Sequence, residues 1–504
     1  MANNFVFSKK AISYYCLFLC GAYFCFLIFY SLDVIDSSFI LSFVMRLQNG
    51  QKIYKDFDYV RPFGSILIWD LLLYFTPKNF KYLFLLSRII VLLEIILISF
   101  LIFKIYFNTN KQLIALFFIF ILHNFNIMPW HTIDGILISI IGIYFFQRKF
   151  YLSTMLFALL AMSIKQSFYI FGATLLCCIV ILSSKEKFKL IKTDIRIFLI
   201  CGTIVCIAIF NLDLLRNFKS MFLQIMGSSD INQFVEVGCK SYFLENTYYN
   251  ILIIISLLIL YIIPVRQKSL FVLFSIAIIY IFSAPLFNGG NYIGIKTMFL
   301  YLCVLAIKQR QNLSVLLLFL LAWSCSISWG GNTPVFLIFV LYIILFRDFF
   351  TSNYYITTFL IFGLVNFSLI RINYPYFNTS PLKTEYIWIK NENAISGLYI
   401  NKKTYNYIKE AQTINDKYNN VFFLPGSPLL DVVNNSYISR SSWEMDVEYP
   451  NWKMDLQLNA NAIFVVDKTP AVKYKSGFFK SSFTTYIEQN KTIVETTENF
   501  ILYK

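Results

Sequence analysis

The sequence predicts a mainly α-helical, polytopic membrane protein of about thirteen transmembrane helices, with a small α/β domain outside the membrane at its C-terminal end. Three observations predict it. The 504 residues are 58% hydrophobic and 19% aromatic, with a mean hydropathy of +0.64, more apolar surface than a soluble globular chain carries. Apolar runs recur up to residue 372, and from Asn373 the composition turns polar with no further run of membrane length. The cations, finally, are divided unevenly between alternate connections.

The first apolar run, about 11–31, follows Lys9 and Lys10 and lacks a small-residue cleavage site, so it is expected to remain as the first helix. Others fall at roughly 82–106, 112–128, 133–147, 151–164, 167–183, 196–212, 248–264, 269–284, 291–307, 313–328, 333–346 and 354–372. With a cytoplasmic N-terminus, the inside connections hold sixteen cations, including the run Lys185, Lys187, Lys189, Lys192 and Arg196, against the three acids Glu186, Asp194 and Asp348. The short outside connections at 128–132, 285–290 and 329–332 hold no Lys or Arg, as the positive-inside rule requires. This topology puts 32–81, 213–247 and the C-terminus outside.

The net charge of +16 belongs to the membrane part, because from Asn373 onward 14 Lys and Arg face 13 Asp and Glu. Membrane lipids are therefore the expected surroundings, and no nucleic acid is called for. Nine of the ten cysteines lie in or beside apolar segments, so neither a disulfide framework nor a CxxC metal site follows. The chain divides into a transmembrane part, 1–372, and an α/β domain, 373–504. In the latter, Lys402 to Tyr418 has helical patterning, and Val421 to Leu424 and Ala462 to Val466 read as buried strands. The second outer loop, Asp213 to Thr247, carries Gly227 and Gly238 and is expected to be mobile.

The first outer loop, 32–81, concentrates charge in a chain where 14% of residues are charged. Asp33, Asp36, Asp56, Asp58 and Asp70 share it with Arg46, Lys52, Lys55, Arg61, Lys78 and Lys81. Phe39, Phe43, Val44 and Leu47 recur at helical spacing, and a second apolar block follows the Arg61-Pro62 break; both are too short to span and suit helices at the membrane surface. Asp33 and Asp36, three apart at the end of the first helix, could face one way, either as a general base or as a cap for a helix starting near Ser37. Asp56-Phe57-Asp58 has the DxD spacing but only two local oxygen ligands, so no metal is expected. Asp134, after Trp130-His131-Thr132, and Lys165-Gln166 interrupt apolar runs; ionisable groups at that depth are costly and point to function. Lys165 could bind a phosphate as a point charge or snorkel to the interface, and His131 reads as an interfacial side chain.

The order of these motifs resembles the GT-C superfamily of membrane glycosyltransferases that use polyprenyl-phosphate sugars, especially the bacterial protein O-mannosyltransferase and lipid A aminoarabinose transferase relatives. Asp36-Ser37 stands in that family's Asp-Glu place, fourteen residues before Gly50, with Ser37 as the departure. Tyr54-Lys55-Asp56 and Arg61-Pro62-Phe63-Gly64 follow, Asp134 matches an acid at the start of the fourth helix, and Lys165-Gln166 follows the fifth. The resemblance implies transfer of a sugar from a polyprenyl phosphate to a cell-envelope acceptor, lipopolysaccharide, surface polysaccharide or protein, at the outer face of the bacterial cytoplasmic membrane. It implies Asp36, with Asp33 beside it, as the base; Lys165, Arg61 and Arg88 as phosphate partners; Tyr54, Asp56, Asp134 and Gln166 as substrate contacts; and no cofactor. A polysaccharide polymerase or ligase and a lipid-linked sugar flippase are the competing classes.

Overall fold

The computed structural model describes residues 25–33, 36–77, 80–108, 127–185, 191–227, 236–240, 293–327, 337–373, 384–392, 394–418, 420–438, 452–468 and 482–504, with a few isolated positions besides. The helical part comprises α1 (Phe39–Gln48), α2 (Gly64–Leu73), α3 (Leu83–Tyr106), α4 (His131–Gln147), α5 (Tyr151–Ile164), α6 (Tyr169–Lys185), α7 (Lys192–Asn211) and α8 (Phe218–Gly227). It continues with α9 (Ile293–Lys308), α10 (Leu313–Ser326), α11 (Ile338–Leu345) and α12 (Asn353–Asn373). Among the described residues two helices, α3 and α7, are long and apolar enough to cross a membrane, against about thirteen expected. The helices α4, α5 and α10 are apolar but 17, 14 and 14 residues long, short of the roughly 20 needed for an upright crossing. The expected runs at 112–128, 248–264 and 269–284 lie almost wholly outside the described residues, as does most of 11–31.

The helices α4, α5 and α6 pack in sequence, and small residues set how closely. A Cβ on Gly135 of α4 would fall inside the Phe168 ring at the start of α6, so only glycine permits that approach. At the other end, Asp194 of α7 accepts from the Leu152 N–H at 3.0 Å, the Ser153 N–H at 2.8 Å and Ser153 Oγ at 2.6 Å. An acid thus satisfies the orphan donors at the N-terminus of α5, where the helix dipole favours it.

From residue 384 the chain forms a hairpin, β1 (Tyr386–Trp388) with β2 (Tyr399–Asn401), and a mixed sheet. The other elements are α13 (Lys402–Lys417), β3 (Val421–Leu424), α14 (Pro428–Asn434), α15 (Trp452–Leu458), β4 (Ile463–Asp467), α16 (Ser482–Asn490), β5 (Ile493–Thr496) and β6 (Phe500–Tyr503). The helix expected at 402–418 and both expected strands form. The sheet order is β3-β4-β6-β5, with β3 parallel to β4 and the other pairs antiparallel. A parallel pair needs a crossover, and α14 and α15 lie between the two strands in the chain.

The sheet is buried on two faces by strict alternation. Phe422, Leu424, Phe464, Val466 and Tyr503 join Phe483 and Ile487 of α16 in a small core of their own. Val421, Ile463, Val465 and Leu502 point the other way, into an apolar core that runs without interruption through α13, α14 and α1 to α3, α4 and α6. The C-terminal region is therefore seated on the segment 36–77 rather than set apart from it.

One ion pair marks that seat. Arg46, on the buried side of α1, is fully buried, and its guanidinium donates to Asp431 Oδ2 of α14 at 2.8 Å. Ser42 Oγ donates to the same oxygen at 3.0 Å, and the Phe57 and Tyr437 rings flank the guanidinium at 5.7 and 5.6 Å. The amphipathic pattern that suggested a helix at the membrane surface thus serves burial between protein layers. Asp431→Ala should destabilise the fold by about 3–5 kcal/mol, because it leaves a buried cation without its partner. The double change Arg46→Met with Asp431→Leu should recover most of that loss. Thermal unfolding in detergent micelles measures both, and equal losses in single and double variants would refute the pairing.

Candidate functional site

The turn that follows the first helix is gripped from three sides. Ser31, with φ 70°, donates its N–H to the Tyr399 carbonyl of β2 at 2.8 Å. Arg88 of α3 is buried and donates to the carbonyls of Ile28 at 2.7 Å, Tyr30 at 3.2 Å and Ser31. Its guanidinium is thus engaged in ending a helix, where carbonyls lack internal partners. Asp33, fully buried, accepts from the Asp36 N–H at 2.6 Å, from the Ser37 N–H at 3.1 Å and from the Ser37 hydroxyl. Asp33 thus closes the turn at Asp36 and Ser37, and the helix begins at Phe39, two residues later than the sequence suggests, with Ser38 at its N-cap and no side-chain cap bond. Asp36 is left half-buried on the outside of the turn.

Two cations are linked to it in turn: the Asp36 carboxylate acts on Arg61, and Arg61 acts on Lys165. Lys165 occupies the break between α5 and the 3-10 turn Gln166–Phe168, and it is 4% exposed. Arg61 is half-buried, stacked over the Phe39 ring at 5.8 Å, and its charge acts on Lys165 directly. Burial pulls Arg61 below its ordinary pKa, while Tyr59 and the Asp36 carboxylate push it back up. Among the described residues neither the Lys165 ammonium nor the Arg61 guanidinium has a hydrogen bond or an ion pair. Two like charges held together in a partly desolvated place, with no direct ion pair among the described residues, favour an anion between them.

Three ties hold the cations together. A Cβ on Gly64 would sit 2.7 Å from the Ser163 carbonyl oxygen, so α2 starts in contact with the end of α5, beside Lys165. Gln166 Nε2 donates to the Val60 carbonyl at 2.8 Å, next to Arg61. Tyr54, with φ 63°, donates its hydroxyl to the Arg61 carbonyl at 2.6 Å. Tyr54 and Gln166, expected to meet substrate, each bond to backbone carbonyls. Asp56 is exposed and accepts from the Lys52 N–H at 2.8 Å, closing a turn. Asp134 is fully buried, taking bonds from the Ser65 hydroxyl and from Trp69 Nε1 at 3.2 Å, which locks α2 to α4.

His131, expected at the interface, is 2% exposed. Tyr59 Oη lies 2.6 Å from its Nε2, and both cations bear on its ring. Sequence reasoning passed over Tyr59, and also over Ser220 and Gln224 of α8. Ser220 Oγ donates to the Tyr54 carbonyl at 2.6 Å. Gln224 accepts from the Tyr59 N–H at 2.9 Å and donates to the Tyr54 carbonyl at 3.2 Å and to Asp58 Oδ1 at 3.3 Å. The second outer loop, expected to be mobile, therefore begins as a helix bound to the first; 228–235 and 241–247 lie outside the described residues. Its one local signal was the amphipathic run Phe218 to Gln224.

Gly64→Ala tests the tie between α2 and α5. It should cost about 1–3 kcal/mol in thermal unfolding, because the neighbour is backbone and cannot turn aside. An unchanged midpoint would mean that α2 sits further from Ser163. Compared with family models, with curated proteins and with solved structures, the chain has no match in any of the three.

Proposed function

We propose that this chain is a membrane glycosyltransferase that moves a sugar from a polyprenyl phosphate to a hydroxyl of a cell-envelope acceptor. The observation that carries the reading is the pair of cations, half-buried Arg61 and buried Lys165, neither hydrogen-bonded nor ion-paired among the described residues, with the half-buried Asp36 carboxylate acting on Arg61. A phosphate leaving group needs cations, and an acceptor hydroxyl needs a base. Asp36 takes the acceptor proton as the acceptor oxygen bonds to the anomeric carbon. The bond from that carbon to the phosphate oxygen breaks, and the electron pair leaves with the polyprenyl phosphate, held by Arg61 and Lys165. Attack from the face opposite the leaving group inverts the anomeric centre.

A wholly apolar groove of about 180 Å³ supports a lipid-linked donor. Its lining includes Phe63 and Gly64, just after Arg61, and Ser163 and Ile164, just before Lys165, together with Leu67 and Ile204. An isoprenoid chain finds no polar surface there to compete with. In this reading the remaining apolar segments complete about thirteen crossings of a bacterial cytoplasmic membrane. The N-terminus is cytoplasmic, and the first loop and the C-terminal region are extracytoplasmic, consistent with the distribution of cations.

Turnover of a labelled lipid-linked sugar in purified membranes, followed by release of polyprenyl phosphate, separates transfer from flipping. Asp36→Asn should lower it by about 10²–10⁴ at unchanged protein level, the usual cost of losing a general base. Asp33→Ala should instead lower the amount of folded protein, since it strands two buried N–H groups at about 1–3 kcal/mol. Near-normal turnover by Asp36→Asn would sink the assignment of the base.

A further inference from the structure

The face of α8 that does not meet the first loop is apolar and exposed. Leu215, just before the helix, is 63% exposed, Phe218 59% and Phe222 53%, while Asn217, Ser220, Gln224 and Ile225 turn inward at the complementary spacing. What covers that face is indicated by the preceding helix. In α7, a helix long and apolar enough to cross a membrane, few residues are buried, unlike the core helix of a soluble protein. Leu199, Ile200, Ile204, Ile207 and Phe210 make its exposed side, and α8 begins seven residues after α7 ends. Arg216, 82% exposed at its side chain, and exposed Lys219 stand beside the apolar face, where long cationic side chains reach lipid headgroups.

We infer that α8 lies in the membrane interface, its partner the lipid surface, and that through Gln224 and Ser220 it holds the Tyr54 to Tyr59 segment in place. The chain of contact is short. Lipid seats Phe218 and Phe222; Ser220 and Gln224, on the opposite face, fix the Tyr54 carbonyl and the Tyr59 N–H; Tyr54 Oη fixes the Arg61 carbonyl. Gln224 is thus a positioning residue for Arg61. The lipid seat stands on exposure and continuity alone, whereas the positioning role rests on the proposed phosphate-binding reading.

The full chain in nanodiscs of phosphatidylethanolamine and phosphatidylglycerol tests both. A photo-crosslinking benzoylphenylalanine in place of Phe222, and separately of Phe218, should give a phospholipid-sized mass adduct on illumination. Adducts to protein alone, or none at either position, would overturn the lipid seat. Gln224→Ala should keep the lipid adduct at Phe222 and raise the Kd for a polyprenyl phosphate about tenfold, as loss of roughly 1.4 kcal/mol does. An unchanged Kd would overturn the positioning role. Failure of the unsubstituted protein to bind polyprenyl phosphate would sink the transfer reading and, with it, that role, while the adduct would still report the seat.

Discussion

Holding Arg61 beside Lys165 is the constraint on which the packing of the segment 36–77 against α5 depends. Like charges in a partly desolvated place repel, and nothing among the described residues neutralises them by direct bonding. The arrangement persists because each cation is fixed through its backbone. Gly64 lets α2 touch α5, Gln166 ties Val60 to the far side of Lys165, and Tyr54 bonds the Arg61 carbonyl. None of these uses the charged groups, which stay available for a ligand. A site that paired Arg61 with Asp134 or Asp58 would have been more stable and of less use to an anion.

The C-terminal region completes the same frame from outside. The Arg46–Asp431 pair and the apolar contacts around it fix α1, and the Tyr399 carbonyl fixes Ser31, so both ends of the turn bearing Asp36 are held by residues almost four hundred positions away. The Arg440 guanidinium donates to the Lys55 carbonyl at 2.6 Å, and the Arg440 carbonyl accepts from the Asp58 N–H at 2.8 Å. Asp33 spends both carboxylate oxygens on that turn, which separates its role from that of Asp36 although the two lie three residues apart.

Much of this was legible in the sequence. Helical spacing placed α1, α2 and α13, strand-length runs placed β3 and β4, and rare ionisable residues in apolar stretches singled out Asp134 and Lys165. What stayed hidden were pairings across the chain. Nothing local to Arg46 names Asp431, and nothing local to Gln224 names Tyr54, because such bonds follow from tertiary packing rather than from period or composition. His131 illustrates the limit. A histidine after a tryptophan at a helix start suits an interface equally well, and only the approach of Tyr59 from the first loop makes it interior. Spacing also left Asp33 and Asp36 interchangeable, until the direction of the N–H groups of Asp36 and Ser37 told them apart.

The bond from the Ser31 N–H to the Tyr399 carbonyl bears on the order in which the molecule is made. A ribosome adds residues from the N-terminal end, and the apolar helices are laid down as they emerge. The turn that carries Asp36 has its own residues by position 38, yet its outer support arrives only with β2 and α14. A nascent chain that has not yet reached Asp431 therefore carries an unfinished turn, however complete the helices before it. A ribosome stalled before Asp431 leaves a product without the scaffold that holds this turn, so the turn is set only once β2 and α14 have emerged.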